Sequence, residues 1–174
     1  MVRHRLLKPS VARLGALLMS LWTAAAMTAC DPQRISELEE GVATEADVRA
    51  RFGEPVAIYP DEDGERTFEY PRQPEGHRNY MITIDRDGKM SALRQVLKPE
   101  EFAKVTPGMD QARVRRLLGR PAATQRFALK QQEVWDWRYL DNNEPRLFSV
   151  TYDHKGLVTD TASRTDPIQT QGGG

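Results

Sequence analysis

The strongest constraint on this chain is that its body is written twice. Ile35 and Leu38 ahead of Gly41 return as Phe102 and Val105 ahead of Gly108, 67 residues later. Val48, Phe52, Gly53 and Pro55 return as Val114, Leu118, Gly119 and Pro121 at an offset of 66. Phe68-Glu69-Tyr70 returns as Trp135-Asp136-Trp137 at 67, and Tyr80-x-Ile82-x-Ile84-Asp85-x-x-Gly88 as Phe148-x-Val150-x-Tyr152-Asp153-x-x-Gly156 at 68. Residue type and order agree in four blocks while the offset drifts by single residues, as loop insertions would cause. The chain is therefore expected to fold as two like units, each built of one set of elements.

The periodicity inside a unit predicts an α+β fold, with two short helices packed on a small antiparallel sheet. Ile35/Leu38 and Phe102/Val105 give a short first helix, with Gly41 and Gly108 beyond its end. Thr44, with Asp47 three residues on, fits an N-cap with a capping box, and Asp110 fits an N-cap without one. Val48/Phe52 and Val114/Leu117/Leu118 supply the apolar stripe of the second helix; Gly53 and Gly119 fit a left-handed cap at its end, and Pro55 and Pro121 forbid continuation. In Val134 to Tyr139 and Phe148 to Tyr152 apolar and polar residues alternate, which predicts strands covered on one face. Asp85 to Gly88 and Asp153 to Gly156 read as hairpin turns, each followed by another strand, about Met90 to Val96 and about Leu157 to Asp160. A unit of about 67 residues is marginal alone, so the pair is expected to pack together across a short linker near Leu97 to Glu101. The expected domains are a signal segment at 1–29, unit one at 30–97, unit two at 98–160 and a disordered tail at 161–174.

The N-terminus has its own logic. Arg3, Arg5, Lys8 and Arg13 form a basic region with no acid, and Leu14 to Met27 form an apolar stretch too short to span a bilayer comfortably. The chain's one cysteine follows in Met27-Thr28-Ala29-Cys30. This resembles the lipobox of bacterial lipoproteins, although that family prefers Leu where Met27 stands. The resemblance implies removal of residues 1–29 and acylation of Cys30 with diacylglycerol and an N-acyl chain such as palmitate. One acyl chain binds a membrane marginally, at roughly 0.8 kcal/mol per buried CH₂, and two or more hold it firmly. Asp31 resembles the signal that retains enteric lipoproteins in the inner membrane, so that membrane stands as the alternative to the outer one.

From Cys30 onward the chain carries 21 basic and 25 acidic residues. That mild acidity, without a basic stripe, argues against nucleic acid as a partner.

No catalytic constellation is legible, so no enzyme activity, cofactor or metal is expected. His77 and His154 read as loop and turn residues, and G-x-S-x-G, H-E-x-x-H and a phosphate-binding glycine loop are all missing from the sequence. Asp61 to Glu65 and Asp85 to Gly88 lack the remaining oxygens of a calcium site. At the repeat of the second turn stand His154 and Lys155. Trp135 and Trp137 read as core. The polar strand faces are the candidate partner surface: Asp136, Arg138, Ser149 and Thr151, with Val134, in unit two, and Thr67, Glu69, Met81 and Thr83 in unit one.

At Val105-Thr106-Pro107-Gly108-Met109…Val114…Leu118-Gly119-x-Pro121 the chain resembles the SmpA/OmlA (BamE-like) family of outer-membrane lipoproteins. Trp135-Asp136-Trp137 and Phe148-x-Val150-x-Tyr152-Asp153-x-x-Gly156-x-Val158 continue the match, roughly from Phe102 to Asp160. Unit one matches more loosely and lacks the proline before its first glycine. The family implies a two-helix, three-stranded unit that assists outer-membrane β-barrel assembly, with that machinery as partner. The tandem arrangement is similar to the β-lactamase inhibitor proteins, which implies the alternative of an inhibitor-like or ligand-binding module capping a periplasmic target through its sheet.

Overall fold

The computed structural model describes residues 38–61 and 63–167. Cys30, the signal segment, most of the first predicted helix of unit one and residues 168–174 lie outside the described residues.

The elements are α1 (Glu45–Phe52), β1 (Ala57–Pro60), β2 (Arg66–Pro71), β3 (Asn79–Ile84), β4 (Met90–Gln95), α2 (Pro99–Phe102), α3 (Gln111–Leu118), β5 (Ala123–Phe127), β6 (Gln132–Asp141), β7 (Glu144–Tyr152) and β8 (Val158–Thr165). They form two antiparallel sheets of four strands, ordered β1-β2-β3-β4 and β5-β6-β7-β8. None of the described helices is long and apolar enough to cross a membrane.

The local chemistry repeats with the sequence. Thr44 caps α1 with a reciprocal box to Asp47, and the Asp110 carboxylate caps α3 by accepting from Arg113 N–H. Asp85 Oδ1 accepts from Asp87 and Lys89 N–H, and Asp153 Oδ1 from Lys155 and Leu157 N–H. Those carboxylates are engaged by their own turns, and no metal-ligating cluster occurs among the described residues. Gly41 N–H donates to Met90 O, and Gly108 N–H to Val158 O, both at 2.8 Å. Both sheets carry a register shift at the same place, Thr83/Ile84 and Thr151/Tyr152.

Gly53 and Gly119 close their helices at φ 80°, ψ −162° and φ 73°, ψ −172°. This differs from the expected left-handed cap: φ is positive but ψ is extended, a region essentially reserved for glycine. The chain thereby leaves the helix straight toward β1 or β5.

Those two strands are where the sequence reading falls short. The expected three-stranded sheet is four-stranded, because Ala57-Ile58-Tyr59-Pro60 and Ala123-Thr124-Gln125-Arg126-Phe127 each add an edge strand. Neither has a clean apolar alternation; tertiary pairing to β2 and β6 creates them. The tail is also shorter than expected. β8 runs to Thr165 and Asp166 is fully buried, so residues 161–166 are held by pairing with β7.

The core lies in two clusters. Val48 and Phe52 of α1 pack on Phe68, Tyr70, Tyr80, Ile82, Ile84 and Met90 of the first sheet. Val105, Val114, Leu118 and Phe102 pack on Trp137, Phe148, Val150 and Tyr152 of the second. The second cluster also takes in Met81, Val96 and Leu97 from the first unit. The four layers therefore stack as α1, first sheet, α2–α3, second sheet. The first sheet is covered on both faces, and every residue of β3 is buried.

Candidate functional site

The layer order decides which polar strand face is available. In the first sheet, the residues predicted to face a partner face the second unit. Met81 is 1% exposed and packs in the second unit's core. Burial of such a side chain stabilises by roughly 1.5–3 kcal/mol.

Glu69 has no exposed surface. Its carboxylate accepts from Arg120 N–H at 2.7 Å, from Tyr59 O–H and from Arg115 Nε at 3.3 Å. Burial opposes the charge on Arg115, but the Glu69 carboxylate outweighs it and holds the guanidinium above its ordinary value. Burial and the same carboxylate push the Tyr59 phenol up to about 12. Asn79 donates to the carbonyls of Leu118 and Arg120 at 2.7 and 3.0 Å, satisfying the end of α3.

Gln73 completes the clasp. Its side-chain amide donates to Arg138 O at 2.8 Å and accepts from Arg138 N–H at 3.3 Å, imitating a strand partner on the β6 edge. Glu69, Met81 and Thr83 are thus corrected from partner-facing to buried, and Thr67 is half-buried with its hydroxyl on Asp61. The signal that could have separated them lies in the repeat. Asn79 and Met81 correspond to Leu147 and Ser149, so the two outer faces differ where one of them is covered.

The second sheet's outer face carries no further layer among the described residues. Register brings Asp136 opposite Ser149, and Val134 opposite Thr151, on neighbouring strands. Arg138, Asp136, Ser149 and Thr151 therefore share this face. Ser149 Oγ donates to Asp136 Oδ1, and Arg164 Nη2 lies 3.5 Å from Asp136 Oδ2. Arg138 Nε sits 3.2 Å from Asp166, and its Nη1 donates to Pro74 O. Ser149 is buried, while Asp136, Arg138 and Thr151 are half-buried and Asp160 and Arg164 exposed. The charges of this face largely compensate each other.

The inner face bears out the core reading of the tryptophans. Trp137 has no exposed surface and donates Nε1–H to Gly119 O at 2.9 Å. Trp135 is half-buried and donates to Glu133 at 2.7 Å. His154 is exposed in its turn. His77 differs from a plain loop residue: it is half-buried, and burial lowers its pKa against the pull of Asp166.

The architecture is that of a tandem α+β protein whose second unit ends in a charge-balanced sheet face that no further described element covers. Residues 95–162 match the family model of the outer membrane protein assembly factor BamE domain. Curated proteins give no match.

Matches among solved structures include two described provisionally. One, as osmotically inducible lipoprotein OsmE, has 25% identity and a TM-score of 0.36, covering 40% of this chain and 75% of that one. The other, as a β-lactamase inhibitor protein from Streptococcus mutans, has 10% identity and a TM-score of 0.29, covering 70% and 82%. YjgB of Bacillus subtilis, a DUF4309 family protein, has 18% identity and a TM-score of 0.31, covering 78% and 86%.

Proposed function

We propose that this chain is a lipid-anchored accessory protein of outer-membrane β-barrel assembly or envelope integrity, working by protein contact and not by catalysis. The observation that carries the reading is the match of residues 95–162 to the BamE domain model. The lipobox ending in Cys30 supports it independently: acyl chains on that residue would hold the two units at a bilayer, on the periplasmic face of the outer membrane.

The docking surface in this reading is the outer face of the second sheet, with Asp136, Arg138, Ser149 and Thr151. Its support is that the corresponding face of the first sheet is already occupied by α3, whereas this one carries no further layer among the described residues. Arg138 and Ser149 also hold the face together through Asp166, Gln73 and Asp136. Asp136 and Thr151 with the neighbouring Asp160 are then the side chains best placed to meet a partner.

The test is membrane fractionation of the wild type beside Cys30→Ala, with mass spectrometry of co-purified proteins. The expected result is an outer-membrane wild type that brings down barrel-assembly components and a Cys30→Ala form released from the membrane. A wild type without fatty acid, or without such components, would overturn the role. A paired Asp136→Lys, Thr151→Arg variant that keeps every partner would overturn the surface.

A further inference from the structure

A different part of the second unit is unfinished as a sheet. β5 is an edge strand with all five residues exposed, so its outward N–H and C=O groups have no strand beside them among the described residues. Such an edge is a template for another strand.

The other edges are less open. β4 is shielded by the segment before α1: Glu40 accepts from Leu93 N–H, and Gly41 and Ala43 bond Met90. β1 ends in Pro60, whose carbonyl is taken by Arg116. β8 is bonded at its start to Gly108 and Met109, and its remainder carries both signs, Asp160 and Arg164.

Two clefts line β5 on the side facing α3. One, of about 240 Å³, lies between Arg115, Arg120, Thr124 and Trp135. The other, of about 520 Å³, lies between Gln111, Arg126, Phe127, Glu133 and Lys155. Four cations, Arg115, Arg120, Arg126 and Lys155, thus border the strand; Arg115 is already paired with Glu69, and Glu133 and Asp153 are the acids of the larger cleft, Asp153 being engaged by the N–H groups of its own turn. The Glu133 carboxylate already accepts from Trp135 and lies 3.5 Å from Arg126. At the strand's end Phe127 and the fully exposed Leu129 add an apolar point.

We propose that β5 accepts an extended segment of a partner polypeptide as a fifth strand, with acidic side chains at alternate positions lying in the two clefts against Arg120, Arg126 and Lys155. Main-chain hydrogen bonds along β5 hold the segment, and alternate side chains select it, since successive residues of a strand point to opposite faces. This site is distinct from the sheet face proposed above.

The experiment uses the full chain carrying Cys30→Ala and isotope labels. The probes are capped Val-Glu-Val-Glu-Val-Glu-Val and its counterpart with lysine for glutamate. The acidic peptide is expected to bind at least about tenfold more tightly, to slow hydrogen exchange at β5 amides and to shift the Trp135 indole signal. Arg126→Ala with Lys155→Ala, both on the surface, should lose most of that preference without changing the melting temperature. Equal binding of the two peptides, no binding of the acidic one, or protection centred on β8 or β1 would each overturn the proposal. Since the assay involves neither membrane nor assembly components, a negative result leaves the role argued above standing.

Discussion

Glu69 of the first unit and Arg115 of the second meet with 3.3 Å between carboxylate and Nε, and the carboxylate is wholly buried. The pair joins residues 46 positions apart and lies where the back of the first sheet meets α3. It works with the N–H of Arg120 and the hydroxyl of Tyr59, so three groups from two units converge on one side chain.

Removal of that carboxylate should loosen both units together. Glu69→Ala strands the Arg120 N–H and the Tyr59 hydroxyl and leaves Arg115 without its counter-charge. Breaking a buried pair costs about 3–5 kcal/mol; Arg115 is 39% exposed and recovers some hydration, so the lower end, about 3 kcal/mol, is expected. Urea denaturation followed by tryptophan fluorescence measures it. Glu69→Gln, which can still accept from Arg120, should lose less. Equal losses for the two variants would mean that side-chain volume, not hydrogen bonding, fills the role.

Asn79 gives a second test of the same joint. Asn79→Ala leaves the carbonyls of Leu118 and Arg120 unsatisfied at the end of α3, at a cost of about 1–3 kcal/mol. Gly119→Ala attacks the same spot from the other side. A Cβ there would lie 3.0 Å from Asn79 Nδ2, on a backbone with φ +73°. Both variants should lower the thermal midpoint, and the double variant should lose less than the two singles added, because they share one contact.

Trp137 anchors the second core. Trp137→Phe keeps most of the ring but abandons Gly119 O, which now accepts from the indole. The expected loss is about 1–3 kcal/mol from the unsatisfied carbonyl. Trp137→Ala should cost about 3–5 kcal/mol. Chemical denaturation of the two variants beside wild type separates the hydrogen bond from the volume.

Stability should fall toward both extremes of pH. Burial holds His77 below its ordinary value, so the unfolded chain takes up its proton first. Its contribution is complete above about pH 6.5 and is lost as the pH falls through the lower folded value. The next losses are carboxylates held low in the fold: Asp153 by the N–H groups of Leu157 and Lys155, and Asp47 by the Thr44 hydroxyl and N–H. Their contributions are present above the ordinary carboxylate range, about pH 4, and vanish below it. On the alkaline side, burial pushes Tyr59 and Tyr70 up to about 12. Unfolded tyrosine ionises near pH 10, so their contribution is present below that value and lost on the way to 12. Thermal midpoints measured from about pH 2 to about pH 12 check this. In His77→Asn the slope between pH 7 and 6 should flatten; an unchanged slope would assign it to other groups.

The sequence alone determined what depends on short-range chemistry. The caps at Thr44 and Asp110, the Asp-x-x-Gly turns and the apolar strand faces follow from residue types a few positions apart, and each was legible twice because the chain repeats. The BamE-like pattern in the second unit was legible for the same reason. Tertiary structure decided what depends on which surfaces meet. Glu69 and Asp136 stand at the same place in their units, yet one is buried under α3 and the other is half-open on the outermost sheet. Strand alternation puts both on the polar face and cannot say which face a neighbour will cover. The edge strands β1 and β5 escaped notice similarly, since their strand character comes from pairing to β2 and β6 rather than from a pattern of their own.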